Sequence, residues 1–303
     1  MSQILISGLV NMETTVQIEE FPIPYTPINY NFFGVHNYPA GVGLNLSMAF
    51  HTLGDDIALL SIVGKDLNKD MVCSELIKAG ITTKYLDDSA KETATSAILY
   101  DQSGAREIYC DLKDIQELNM NKEIATEAMK HSDIVCLCNI NFSRELLYIA
   151  HEQKKVIATD VQVIHDIHDS YNEDFMRYAN ILFLSNEEVK GRERSFLLEI
   201  VDEYHNDIIV MGMGKDGALL YTKESGTIKH YPSVFTRDVV NTVGAGDSMF
   251  ASFLHFYRSG FSAEESLKRA IVFASYKVGE SSAAKGFLTE SEVETWYQKV
   301  YKN

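Results

Sequence analysis

Short apolar runs bounded by glycine alternate along the chain with longer stretches of helical periodicity. Ile4 to Leu9 predicts a buried first strand ending at Gly8. Ala40-Gly-Val-Gly-Leu-Asn45 opens a helix with Leu44, Met48 and Leu53 on one face, closed by Gly54. Ile57 to Val63 predicts a second strand, followed by a helix to Ala79 with Gly80 just past its end. Ile134 to Cys138, Val156 to Thr159, Ile181 to Leu184 and Ile208 to Met211 predict four more buried strands. Helical stretches separate them, one near 144–152 and a charged one after Ser185 to Glu188. Repeated strand–helix alternation of this kind predicts an α/β fold with a mainly parallel sheet covered on both faces. No long repeat and no low-complexity linker divides the chain, so one large domain over 1–303 is expected.

Two regions break the alternation. Residues 14–34 are rich in Pro, Tyr, Asn and Phe and predict two or three short strands with loops. Thr95 to Tyr100, a turn at 101–104, and Arg106 to Cys110 predict a hairpin. Neither region has a core of its own.

Composition narrows the function. At 303 residues with 46% hydrophobic and 23% charged, the chain has ample material for a core. A formal net charge of −16 argues against nucleic acid and anionic membrane surfaces as partners, because their phosphates would be repelled. No apolar run approaches the roughly 18 residues needed to span a bilayer, and no secretory leader precedes the first strand. A soluble cytoplasmic protein is expected. Four cysteines form no Cys-x-x-Cys pair; Cys136 and Cys138 read as small buried hydrophobes on one strand face.

The segment richest in chemistry is Asn241-Thr-Val-Gly-Ala-Gly-Asp-Ser-Met-Phe250. Three small residues, Gly244, Ala245 and Gly246, link an extended run at 236–240 to a helix carrying Met249, Phe250, Phe253, Leu254 and Tyr257 at helical spacing. Free N–H groups and the helix dipole converge at such a helix start and favour an anion. Asp247 stands there as either a helix cap or a base able to take a proton from a substrate hydroxyl. Gly212-Met-Gly-Lys-Asp-Gly217 matches Gly-x-Gly-x-x-Gly, yet a strand-like run, Ala218 to Tyr221, follows it where a dinucleotide motif requires a helix. A hairpin turn fits better. No Walker-type phosphate loop is present. His165-Asp-Ile-His-Asp169 lacks a second ligand group at metal spacing and reads as a polar loop or helix start, and Arg106 as a solvated strand arginine more than a contact for an anionic substrate.

The Gly-Ala-Gly-Asp segment resembles the Asp-Thr-x-Gly-Ala-Gly-Asp signature of the ribokinase-like (PfkB) family of carbohydrate and nucleoside kinases. The likeness runs from Gly8 to about Gly286 and includes Asn11 with Glu13, Gly41 to Asn45, and Val63-Gly-Lys-Asp66. It implies a three-layer α/β/α fold with a small β-sheet lid made by about 12–38 and 94–111. It implies ATP-dependent transfer of a phosphoryl group to a hydroxymethyl group of a sugar or nucleoside, with Mg2+. In that scheme Asp247 is the base and the amides of Gly244, Ala245 and Gly246 hold the transferring group. Asn11, Glu13, Gly41 and Asn45 hold the acceptor, while Asn186, Gly214, Gly217 and Ser275 line the nucleotide. Asn139 or Asn141 is a further candidate for the pocket. A homodimer through the lid is a further implication.

Four positions depart from the family pattern. Glu13 replaces an Asp and adds about 1.5 Å of reach, which disfavours a copied ribose pose. Ala40 stands at a Gly position. Val189 takes the place of the Glu that arranges magnesium, leaving Glu188 as a neighbouring candidate. Asn241 replaces an Asp that helps hold a monovalent cation, so cation activation is expected to be weak or absent. The departures at Ala40, Val189 and Asn241 keep a non-catalytic sugar- or nucleotide-binding protein open as the alternative.

Overall fold

The computed structural model describes residues 3–102, 105–280 and 282–302. Thirteen strands are described: β1 Gln3–Ser7, β2 Asn11–Gln17, β3 Val35–Ala40, β4 Ile57–Ile62, β5 Leu86–Asp87, β6 Thr95–Tyr100, β7 Arg106–Asp111, β8 Ser132–Leu137, β9 Val156–Val163, β10 Ile181–Ser185, β11 Ile208–Gly212, β12 Ala218–Thr222 and β13 Thr227–Tyr231. Nine of them form one sheet in the order β13-β12-β11-β10-β9-β8-β1-β4-β5. It is parallel from β5 to β11 and antiparallel only at the β11–β12–β13 edge.

Strand alternation explains how both faces are covered. Ile4, Ile6, Ile57, Leu59, Ile134, Cys136 and Cys138 belong to one core. Leu5, Ala58, Leu60, Val135 and Leu137 belong to the other. A period of two sends successive side chains to opposite faces, and helices close both. They are α1 Val42–Leu53, α2 Leu67–Lys78, α3 Lys122–Met129, α4 Asn141–Glu152, α5 Glu173–Tyr178, α6 Glu193–Tyr204, α7 Ala245–Arg258, α8 Ala263–Lys277 and α9 Glu290–Tyr301. The cysteine reading holds: Cys136 and Cys138 are buried in the first core, and burial pushes both thiols up.

The smaller sheet has the order β3-β2-β6-β7, with β2 and β6 parallel although far apart in sequence. Its root is pinned by Asp66, which caps α2 through the Lys69 N–H at 2.9 Å. The same carboxylate accepts from the Thr93 N–H at 2.7 Å and its hydroxyl at 2.8 Å, just ahead of β6.

Two expectations are corrected. Residues 18–34 contain no strand; β2 stops at Gln17 and β3 starts at Val35, because three prolines remove N–H donors from the stretch between. The run at 236–240 is not a strand either, although Val240 and Asn241 both donate to the Val278 carbonyl. The turn proposed at 101–104 includes Ser103 and Gly104, which lie outside the described residues. No helix among the described residues is long and apolar enough to cross a membrane.

Candidate active site

Parallel α/β sheets gather functional groups beyond the carboxyl ends of their strands, and this chain does the same. α7 packs on the middle of the sheet through Phe250 and Phe253, whose rings meet Phe183 of β10 edge-on at 4.9 and 5.3 Å. That contact sets Asp247, one turn earlier, at the strand ends. Gly244 precedes the helix with φ 78°, and no side chain caps the helix start. The Ala245 N–H turns back to the Thr242 carbonyl at 3.2 Å, whereas those of Gly246 and Asp247 have no acceptor among the described residues. The Gly244 N–H likewise has no acceptor there, so of the three amides expected from the sequence only that of Ala245 is engaged, and the Asp247 N–H joins the open set.

Asp247 is not a cap; its own side chain is held by α1. Asn45 Nδ2 donates to Asp247 Oδ2 at 2.7 Å. Burial lifts the Asp247 carboxyl above its usual range, with the Asn45 amide and the Lys277 charge pulling the other way. Asn45 arrives there because Gly41 lets the chain turn tightly into α1. Its φ is 99°, and a Cβ there would lie 2.5 Å from the Leu9 carbonyl oxygen. A larger residue at position 41 would push α1 away from β1.

Beside Gly41 lies Asn11, 3% exposed, whose Nδ2 donates to Ser96 Oγ at 2.7 Å. The Oδ1 atoms of Asn11 and of Asn45, 6% exposed, are buried with no hydrogen-bond partner among the described residues. Orphaned acceptors of this kind are costly, and hydroxyl donors of a ligand would satisfy them. Glu13 is buried on the same strand face as Asn11, opposite Tyr38 of β3 and Ser96 of β6. Burial raises its pKa, partly offset by the Tyr38 hydroxyl and the Arg106 charge. Arg106 thus lies close enough to act on Glu13, although β7 itself is exposed.

The nucleotide candidates are less closely grouped. Gly212 to Gly217 form the β11–β12 hairpin, as expected, and Gly217 is required there: a Cβ would sit 2.0 Å from the Tyr231 carbonyl oxygen. Gly214 has φ 55° and open space around it. Ser275 ties α8 to the 234–236 segment, donating to the Val234 carbonyl at 2.7 Å. Asn186 is buried and donates to Glu193 Oε1 at 3.1 Å. Val189 is buried, Glu188 is exposed, and the carboxylate beside Asn186 belongs to Glu193, seven residues on. Sequence spacing missed Glu193 because the bend at 186–192 brings it back. Asn141 faces away, donating to the Gln116 carbonyl, and Asn139 donates to Asn172. The 165–169 stretch is a loop, and no group of three His, Cys, Asp or Glu among the described residues forms a metal cage.

A second carboxylate went unnoticed in the sequence. Asp160, midway along β9, has its Oδ2 atom 3.9 Å from where a Cβ on Gly246 would sit. Burial and the Asp247 charge lift its pKa to about 7, against one bond from the Gln162 N–H at 2.7 Å. Its only sequence signal is a charge inside an otherwise apolar strand. Because the folded pKa is raised, the folded chain binds more protons than the unfolded chain between about pH 4 and 7, and stability falls across that window. Asp160→Asn is expected to flatten that fall and raise the thermal midpoint at pH 8 by about 3 °C or more. Equal pH slopes for both proteins in thermal unfolding would refute this.

The turn at 241–244 bears on the expectation that monovalent-cation activation is weak or absent. Asn241 Oδ1 accepts from the Val243 N–H at 2.9 Å, and the Val243 carbonyl accepts from Lys277 Nζ at 3.3 Å. An ammonium already lies against the turn, so the residues present do not fit a metal cation at that carbonyl.

Known proteins resemble the chain along its length. The description "pfkB family carbohydrate kinase" matches residues 1–290. A deoxyribokinase of Salmonella typhi is 26% identical over 78% of this chain and 80% of its own. A nucleoside kinase of Methanocaldococcus jannaschii is 24% identical over 99% and 96%. Among solved structures, the microbiome-derived acarbose kinase Mak1 superposes with a TM-score of 0.88 at 20% identity, covering 98% of both chains. The chain belongs to the pfkB family of carbohydrate kinases and is a sugar or nucleoside kinase.

Proposed function

We propose that the chain transfers the γ-phosphoryl group of ATP to a hydroxymethyl group of a sugar or nucleoside, with Asp247 as the base. The observation that carries this is the Asn45–Asp247 pair at an uncapped helix start, beside two orphaned buried acceptors. Asp247 takes the hydroxyl proton as the acceptor oxygen attacks. The Gly246 and Asp247 amides hold the phosphoryl oxygens where negative charge builds. Asn11, Asn45 and Glu13 grip the other hydroxyls, and Gly41 permits the close approach. The smaller sheet acts as a lid that keeps water from the transferring group.

ATP is the co-substrate, with Gly214, Gly217 and Ser275 near its base and sugar and Asn186 with Glu193 near its phosphates. Magnesium would come mainly on the nucleotide, which suits a site whose described residues form no carboxylate cage; it would supply neutralisation of phosphate charge. Relatives named for deoxyribose, nucleosides and acarbose span acceptors of very different size. A polyhydroxylated ring is the feature that fits Asn11 and Glu13.

An ATP-consumption screen over pentoses, hexoses, oligosaccharides and nucleosides tests the reading. Acceptor-dependent ADP release is expected; thermal stabilisation by a sugar without turnover would favour the non-catalytic alternative.

A second copy is proposed to dock through the lid, on its aromatic loop, where Tyr30, Phe32 and Phe33 are 81%, 83% and 97% exposed. Light scattering should give twice the chain mass, and Phe32→Asp with Phe33→Asp should halve it. A wild-type monomer would remove this proposal.

A further inference from the structure

The turn ahead of α7 has two sides. The Gly244, Gly246 and Asp247 N–H groups have no acceptor among the described residues, while the Val243 carbonyl is turned to α8. Carbonyl oxygens facing away from an anion pocket carry partial negative charge and favour a cation behind it.

Lys277, the last residue of α8, fills that place. It is 0% exposed, among the largest fully buried side chains, and Val243 O is the one hydrogen-bond acceptor of its Nζ among the described residues. The charges that act on it are Glu280 and Asp247, which favour the ammonium, and Arg237, which opposes it. Burial lowers its pKa to about 8, so the ammonium still predominates at neutral pH. Burying a cation is expensive unless its charge is used. Asn241, the neighbouring side chain of the turn, is neutral and spends its Oδ1 on the Val243 N–H. The turn therefore offers no carboxylate to an incoming metal cation.

We propose that the Lys277 ammonium does the work of a bound monovalent cation behind the anion pocket, so that phosphoryl transfer by this chain runs without potassium. The inference rests on the kinase reading above. Lys277 is a positioning residue: it acts through the 243–246 backbone, fixing the turn and adding positive field to the amides that hold the phosphoryl oxygens.

The test compares the full chain with Lys277→Ala and Lys277→Arg in potassium, ammonium or tetramethylammonium chloride at equal ionic strength. Acceptor-dependent ADP release and thermal unfolding are both read. Wild-type turnover is expected to be the same in all three salts. Lys277→Ala should lose about 10²-fold in kcat with little change in acceptor KM, a loss on the scale of removing one oxyanion donor. Potassium or ammonium, but not tetramethylammonium, should restore roughly a tenth or more of it, and Lys277→Arg should keep part of the activity without either. Lys277→Met, which keeps the volume of the stem, isolates the charge if the alanine variant does not fold.

The thermal arm reads cation occupancy whether or not phosphate is transferred. A potassium-specific rise in midpoint is expected in Lys277→Ala and not in wild type. Steep potassium activation of the wild type, a potassium-specific rise in its midpoint, or a folded Lys277→Met with full turnover in tetramethylammonium would each overturn the inference. A wild type silent in every salt would sink the kinase reading instead, and the midpoints alone would then decide the role of Lys277.

Discussion

Asp247→Asn should lower kcat by about 10³-fold, within the range for loss of a positioned general base, while acceptor KM stays within about threefold. The substitution keeps the side-chain shape and still offers an oxygen to the Asn45 amide, which now donates at 2.7 Å. What disappears is the ability to hold a proton. Loss confined to kcat marks an interaction made in the transition state rather than in binding. ATP should bind at least as tightly as before, since a carboxylate near the open amides repels phosphate. Initial rates and calorimetric binding on the same preparations check both halves. Turnover within tenfold of wild type would remove Asp247 as the base. Unchanged turnover with weakened binding would point to a purely structural role for the pair.

Much of this site was legible because its parts are local. Gly244 to Asp247 lie in one turn, and the need for free N–H groups at a helix start is written in three small residues. Gly41 to Asn45 and Asn11 with Glu13 are likewise short segments whose spacing survives folding. The sheet was legible for a similar reason: buried parallel strands are near-continuous apolar runs, as in Ile57 to Ile62. Contacts made only by folding escaped. The Asn45–Asp247 bond joins residues 202 apart. Asp160 reaches Gly246 from within another strand, and a lone Asp in a strand carries no pattern. Glu193 returns to Asn186 through a bend, whereas spacing pointed to Glu188. Lys277 at the end of an amphipathic helix reads as an ordinary solvated lysine, and its burial follows from how α8 lies against the 241–244 turn. The extended run at 236–240 misled because β-branched residues there serve a loop held by α8.

Asn45→Leu should cost about 10²-fold in kcat/KM at pH 7, and the cost should shrink as pH rises. The direction follows from the hydrogen bond. Asn45 donates to the ionised Asp247 carboxylate, and that bond lowers a pKa which burial alone would push higher. Removing the donor raises the Asp247 pKa further, so less of the base form exists at neutral pH. A hydrogen bond to a charged group contributes about 1.5–3 kcal/mol, which at 1.36 kcal/mol per unit is roughly one to two pH units on the acid limb. The remaining loss comes from the acceptor hydroxyl that no longer meets Asn45 Oδ1, an atom with no partner among the described residues. The quantity to measure is the ratio of variant to wild-type kcat/KM from pH 6 upward. Any limb common to both enzymes, including one from Lys277, cancels in that ratio. It should climb with pH and then level off below one. Asn45→Asp should climb from a lower start, because a second carboxylate beside Asp247 opposes its ionisation more than a missing amide does. A ratio flat across pH would mean that Asn45 serves the acceptor alone and leaves the base untouched.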